Sequence, residues 1–318
     1  MEPKLQGELL QLYDDKLKGV FQSLETKRRK LYGYYTAIAL TALAGLLPFI
    51  FFHAIYPFLF LILVAGPLLI LLIVRLRQKM LAYRRDYKQG VVGAVVKATD
   101  PSWRYDPEGC LSEEEYLDSG LFPDTHTYYK GDDLITGRIE KTDFRCSEVY
   151  AASRAQTGEK VSDYAVFKGL LFHADFNKYF SGKTYVWPVL PGGNGGSGLP
   201  VFGARDKDTR VVKLEDPEFN KRFIVSSTDE AEARYLLTPD MMRAILRIPR
   251  LYAGRPVYLS FVNNRVYCAI RYTTNLFEPD YYYPHRGYDD VLLLHYMIEL
   301  NAALVHELKL NTRIWSKQ

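Results

Sequence analysis

The sequence predicts an α+β protein: an N-terminal two-helix transmembrane hairpin, then a cytoplasmic domain of mainly antiparallel β strands with flanking helices and a C-terminal helix. Three observations predict it. Leu31–Val74 holds no Asp, Glu, Lys or Arg in a chain that is 25% charged, where composition would place about eleven charges. From Leu134 onward the texture changes to short apolar runs at strand period. The connections between neighbouring runs are too short for parallel crossovers, so the strands should pair antiparallel.

The first element is an amphipathic helix within residues 1–30. Leu10, Tyr13, Leu17, Val20, Leu24 and Leu31 alternate three- and four-residue steps, with Lys27 in the missing slot. That stripe suits a short coiled coil, so an oligomer through residues 10–31 is one reading. The other is a helix packed on its own chain or lying on a membrane. Residues 31–74 follow as the hairpin, with spans 31–52 and 54–74, each about 30 Å as helix. The break falls at His53–Pro57, whereas Pro48 and Gly66-Pro67 should only kink the helices. Lys27-Arg28-Arg29-Lys30 precede the first span, and Arg75, Arg77, Lys79, Arg84 and Arg85 follow the second. The turn between them has no Lys or Arg, so both termini should be cytoplasmic.

Residues 75–125 read as linker helices, the first ending near Tyr87, with a capping box from Ser112 to Glu115 and a stop at Gly120. Residues 126–318 read as the cytoplasmic domain. Its strand candidates are Leu134–Lys141, Phe144–Ser153, Val166–Phe176, Thr184–Leu190, Arg210–Leu214, Phe223–Ser226, Val257–Phe261 and Val266–Tyr272. Asn263-Asn264 should turn the last pair into a hairpin. Helices are expected at Asp229–Leu237 behind a Ser/Thr cap, from Thr238-Pro239 with Thr as N-cap, and at Asp289–Leu310.

Charge and cysteine content exclude several functions. Residues 1–90 carry 13 Lys/Arg and 6 Asp/Glu, a balance of +7, which leaves 28 against 31, or −3, beyond. The basicity flanks the apolar run, so no nucleic-acid partner is expected. Cys110, Cys146 and Cys268 form no CxxC and read as structural thiols.

An ordered set of motifs carries a family resemblance: Tyr105-Asp106-Pro107-Glu108-Gly109, Ser119-Gly120-Leu121-Phe122, Phe167–Lys178, Lys213–Phe219 and Glu232–Pro239. With the apolar hairpin before it, the chain resembles a family of bacterial proteins of unknown function with two N-terminal membrane helices and one cytoplasmic domain. The resemblance covers most of residues 25–310. It implies a bacterial inner-membrane location and brings no activity with it.

Motifs for chemistry mostly dissolve on spacing. Gly193–Gly198 contains GxGxxG, but Leu199-Pro200 follows where a helix is required. Ser181-Gly182-Lys183-Thr184 lacks the upstream glycine of a phosphate loop and reads as a turn into a strand. The six histidines show no metal spacing, so no metal or cofactor is expected. Asp132-Asp133 would alternate faces on a strand, as solvated acids do. The remaining candidate binding residues are Asp175 and Lys178 at a strand end, Arg234 with its i,i+4 partner Glu230, and Tyr281, Tyr282, Tyr283 and Arg286 in an aromatic, proline-broken loop.

These readings define three functions. The first is a non-enzymatic, membrane-anchored scaffold whose cytoplasmic domain binds an unidentified protein. The second is a sensor whose strands enclose a ligand or lipid. The third is a hydrolase using Asp175.

Overall fold

The computed structural model describes residues 3–51, 56–122, 126–157, 160–176, 179–189 and 208–308. The centre of the hairpin break, the Gly193–Gly198 loop and Lys178 lie outside the described residues. The chain forms two compact units, Met1–Ala98 with Phe277–His295, and Thr99–Leu276 with Tyr296–Gln318.

The first unit is helical. α1 (Pro3–Leu12) and α2 (Lys18–Leu46) are joined by a π-helical turn, and α3 (Pro48–Phe51) continues beyond Leu47, whose dihedrals are themselves helical. Pro48 therefore interrupts the hydrogen-bond ladder without ending the rod. On the return, α4 (Tyr56–Phe60), a π turn at Leu61–Ala65, α5 (Gly66–Tyr87), a second π turn at Lys88–Val92 and α6 (Gly93–Thr99) run on continuously. The expected end near Tyr87 is corrected: Val91, Val92, Val95 and Val96 are all buried and hold the helix for three more turns. The π turn absorbs Gly90 at the point where the sequence suggested a break. Phe58–Thr99 is long and apolar enough to cross a membrane.

The buried stripe of the leading helix is Leu17, Phe21, Leu24, Arg28 and Leu31, with Leu9 before it. It is shifted by one residue from the expected one in three places: Leu9 replaces Leu10, Phe21 replaces Val20, and Arg28 fills the slot assigned to Lys27. Leu10 is exposed instead. Lys27 reaches Asp86 on the returning helix, 2.6 Å away. Further along, the helices approach through small residues. A Cβ on Gly45 would stand 3.1 Å from the Ala65 Cβ, the close contact typical of helices packed without large side chains.

Among the described residues, the second unit is built on one nine-stranded sheet. After β1 (Arg104–Asp106) and the short α7 (Glu113–Asp118) come β2 (Tyr128–Ile139), β3 (Thr142–Thr157), β4 (Lys160–Asp175), β5 (Thr184–Pro188) and β6 (Arg210–Val212). α8 (Pro217–Arg222), β7 (Phe223–Ser227), α9 (Glu230–Leu236), α10 (Pro239–Leu251), β8 (Val257–Val262), β9 (Arg265–Arg271) and α11 (Tyr288–Glu307) follow. The strand order is β1-β2-β3-β4-β9-β8-β5-β7-β6, and the pairings are antiparallel. β3 and β4 outrun their expected lengths because their outer halves are polar, as in the exposed Arg154–Asp163 pair at 3.0 Å. Asn263, in the left-handed region, makes the β8–β9 turn. The Ser112–Glu115 capping box and the Thr238 cap form as expected. The cap of α9 is Asp229 itself.

Aromatic rings fill the core of this unit. Phe122 stacks on Phe167 at 4.5 Å, with Tyr116, Tyr258 and the stacked Tyr185–Trp187 pair around them. Gly169 marks the tightest backbone approach. Its φ is +155°, and a Cβ there would lie 2.0 Å from the carbonyl oxygen of Ile270 on β9. Gly169→Ala is therefore expected to cost about 1–3 kcal/mol. Thermal unfolding of the purified variant would read this, and an unchanged transition would show that the strand pair yields freely.

Candidate functional site

The Phe277–Arg286 loop is folded by its own breakers. Asp280 accepts hydrogen bonds from the backbone N–H groups of Tyr282 and Tyr283 at 2.8 and 3.0 Å, turning the chain between Pro279 and Pro284. Gly287 has a φ of +68° and passes so close to Tyr13 that a Cβ would stand 2.7 Å from its hydroxyl. Only glycine takes that corner without strain.

The loop is clamped to the helical hairpin by three groups. Glu278 lies 2.7 Å from Arg84 and 3.0 Å from Lys88, whose side chain is 1% exposed. Arg28, also buried, donates two bonds of 2.8 Å to Glu25 and one of 3.0 Å to the carbonyl oxygen of Tyr282, which also accepts from Tyr32. His285 stacks on Tyr87 at 5.4 Å and meets the edge of Phe21 at 5.2 Å. Its Nε2 lies 2.7 Å from the Tyr83 hydroxyl, and its Nδ1 lies 3.5 Å from Asp290. Tyr83 also donates to the carbonyl oxygen of Asp280.

Electrostatics keep the clamp charged where charge holds it. The bonds from Arg28 bring the Glu25 carboxyl down to about 2 against its partial burial, with Arg29 adding to the effect. The same pairing raises Arg28. Burial pushes the Tyr83 hydroxyl up, so it stays a donor. Burial also pushes Asp290 up, but the His285 bond and the Arg286 N–H outweigh it, and its pKa falls. The arrangement grips a backbone segment through carbonyls and paired charges.

Of the seven residues singled out in the sequence, the six described ones fall at three places, the loop, the end of β4 and α9. Tyr281 is half-buried against Tyr83 at 5.7 Å, while Tyr282 and Tyr283 are 62% and 72% exposed. Tyr282 nonetheless stacks on Tyr35 at 6.4 Å. Arg286 is exposed and bonds to Asp290 through its N–H at 2.9 Å. Asp175 closes the β8–β9 hairpin by accepting from Asn264 at 3.1 Å. Arg234 pairs with Glu230 at 2.8 Å, as its spacing requires, and reaches Glu215 at 3.7 Å. The backbone amides of Ser181 and Gly182 are taken by the Glu232 carboxylate at 3.1 and 2.7 Å, the place a bound phosphate would need.

Three clusters were missed. Glu115, known only as a capping residue, also accepts from Arg145 at 2.5 Å and His173 at 3.0 Å. Burial pushes its carboxyl up, yet the bonds from His173 and Ser112 and the Arg145 charge bring it down to about 2. His173 is lowered chiefly by burial. The second cluster is Asp132, Asp133 and Glu148, with carboxylate oxygens within 4.8 Å of one another. The expected alternation of Asp132 and Asp133 fails because Asp133 has a φ of 60° in a bulge between Asp132 and Ile135. These three carboxylates are the donor set suited to a hard cation among the described residues. The third is an exposed stack in which Lys130 lies 5.8 and 5.6 Å from the rings of Tyr128 and Tyr150.

Fold and contacts define a protein of mixed helix and antiparallel sheet with an apolar N-terminal helical region. A family model described as a protein of unknown function (DUF3137) matches residues 165–310. No curated protein matches the chain. Among solved structures, the mycobacterial trehalose monomycolate transport factor A is similar with a TM-score of 0.35 and 14% identity, over 67% of this chain and 96% of its own.

Proposed function

We propose that the chain is a bacterial inner-membrane protein anchored by two spans, with both termini cytoplasmic, and that it works by binding a protein through its α+β domain. The observation that carries the reading is the side-chain distribution on the hairpin. Leu40, Leu43, Leu46 and Leu47 on the leading helix are exposed, as are Ile62, Leu63, Ile70 and Leu71 on the returning one. Water would penalise so much apolar surface at about 25 cal/mol per Å², whereas a hydrocarbon core is its natural solvent. Towards the basic flanks the same helices turn polar outside and bury Leu24, Arg28, Tyr83 and Tyr87.

Within the domain, the filled aromatic core favours a binding surface over a ligand enclosed by strands. The hydrolase reading ranks last of the three, and Asp175 accepts a hydrogen bond from Asn264 in the β8–β9 turn. The protein-binding surface we assign is the Tyr128–Lys130–Tyr150 stack, since exposed tyrosine beside a cation is interface chemistry.

The test combines topology and contact in intact cells. A cysteine placed at Ala54 should react with an impermeant maleimide from outside, and cysteines at Ser23 and Ser316 only after the membrane is opened. A photo-crosslinking side chain at Tyr128 should yield a discrete adduct in native membranes. Labelling of Ser316→Cys in closed cells would sink the topology, and a Tyr128 site without any adduct would sink the interaction.

A further inference from the structure

An open cleft of about 860 Å³ lies between the leading helix and the Pro284–Gly287 stretch, walled by Tyr13, Phe21, Thr26, Arg29, Lys30 and Pro284 among others. Its charged lining is Lys18, Arg29 and Lys30 against a single carboxylate, Glu25. Glu25 is already held bidentately by Arg28, so the cleft presents an excess of positive charge. The clamp leaves Lys30 unused, and Arg29 makes one 3.0 Å contact to Glu25 while its side chain stays 78% exposed.

Depth decides what such a cleft meets. Lys30 is the last residue before the uncharged run. Tyr282, at the loop tip, stacks on Tyr35, about 6 Å further along the helix from Leu31. The polar zone of each leaflet is about 5–8 Å thick. The polar zone therefore spans the turn before Leu31, and the tyrosines against Tyr35 mark its inner edge. The Thr26–Lys30 end of the cleft is therefore at headgroup level, and Lys18, about 18 Å back along the helix, is not.

We propose that the Thr26–Lys30 end of the cleft binds the headgroup of an anionic phospholipid, its phosphate held by Arg29 and Lys30. The site rests on the membrane reading above. It is separate from the protein-binding surface on the sheet.

The test is native mass spectrometry of the full chain reconstituted with equimolar phosphatidylglycerol and phosphatidylcholine. Wild type should retain phosphatidylglycerol selectively. Arg29→Gln and Lys30→Gln should each lower that preference about 5-fold, and together about 25-fold. Lys18→Gln should leave it unchanged, as should excess inorganic phosphate. The proposal is overturned if the double variant, folded by its thermal transition, keeps the wild-type lipid ratio. It is equally overturned if Lys18→Gln loses as much, or if phosphate displaces the lipid, since a soluble anion would use the whole cleft. A chain that reconstitutes without lipid preference leaves the membrane reading standing and removes this site. A chain that fails to reconstitute removes both.

Discussion

Glu278→Ala is expected to free the Phe277–His295 segment from the helical hairpin, at a cost of about 3–5 kcal/mol. The magnitude follows from where the charge is left. Lys88 is 1% exposed and sits 3.0 Å from the Glu278 carboxylate. Removing the acid takes a countercharge from an ammonium that water cannot reach and from Arg84 beside it, whereas removing Glu278 and Lys88 together leaves less charge buried. The double variant Glu278→Ala with Lys88→Met should accordingly recover most of the loss. Hydrogen exchange of the full chain in lipid would show it: amides of residues 277–295 should exchange much faster in the single variant than in the double. Equal protection in all three proteins would mean that the aromatic contacts of His285 hold the loop without the ion pair.

Glu115→Ala is expected to cost about 2 kcal/mol. It removes the bond from the Ser112 N–H and the charged bonds to Arg145 and His173, all three of which the lowered carboxyl already reflects. The carboxyl stands at about 2 in the folded chain against an ordinary 4.5, or about 3 kcal/mol by linkage. Water reaching the half-exposed Arg145 screens this to about 2 kcal/mol. The sign is that of a depressed acid. Its stabilisation is complete above the unfolded value near 4.5 and is lost as pH falls towards 2. His173, lowered by burial, works in the same direction: its contribution is present above the ordinary 6.5 and erodes below it. Denaturant titrations from pH 7 to pH 3 should show wild type losing stability steeply and Glu115→Gln, which keeps a capping oxygen, losing less. Parallel curves would exclude Glu115 as the acid-sensitive group.

Local rules made much of this architecture readable. Ser112-Glu115, Thr238-Pro239 and Asn263-Asn264 each act within four residues, so their structures follow from their own chemistry. The apolar run and the antiparallel strands are readable for the same reason, being set by composition and period. What could not be read depends on partners far away in sequence. Arg28 is an ordinary surface cation until Tyr282 offers it a carbonyl 254 positions later. Nothing near Gly90 says that four valines will be buried and carry the helix on to Thr99. The Asp133 bulge is one residue's backbone, and it turned two acids expected on opposite faces towards Glu148.

The clamp also sets an order of events during synthesis. Lys88 and Glu278 are about 190 residues apart, and a ribosome adds about 5–20 residues per second. The hairpin helices therefore emerge roughly 10–40 s before the Glu278 carboxylate that lies against Lys88 exists. Throughout that interval the nascent chain carries an amine destined for burial, two apolar helices and an unclosed face for the returning segment. Truncated chains ending before Phe277 should be held in this immature state, with the stalk that the finished protein hides open to proteolysis.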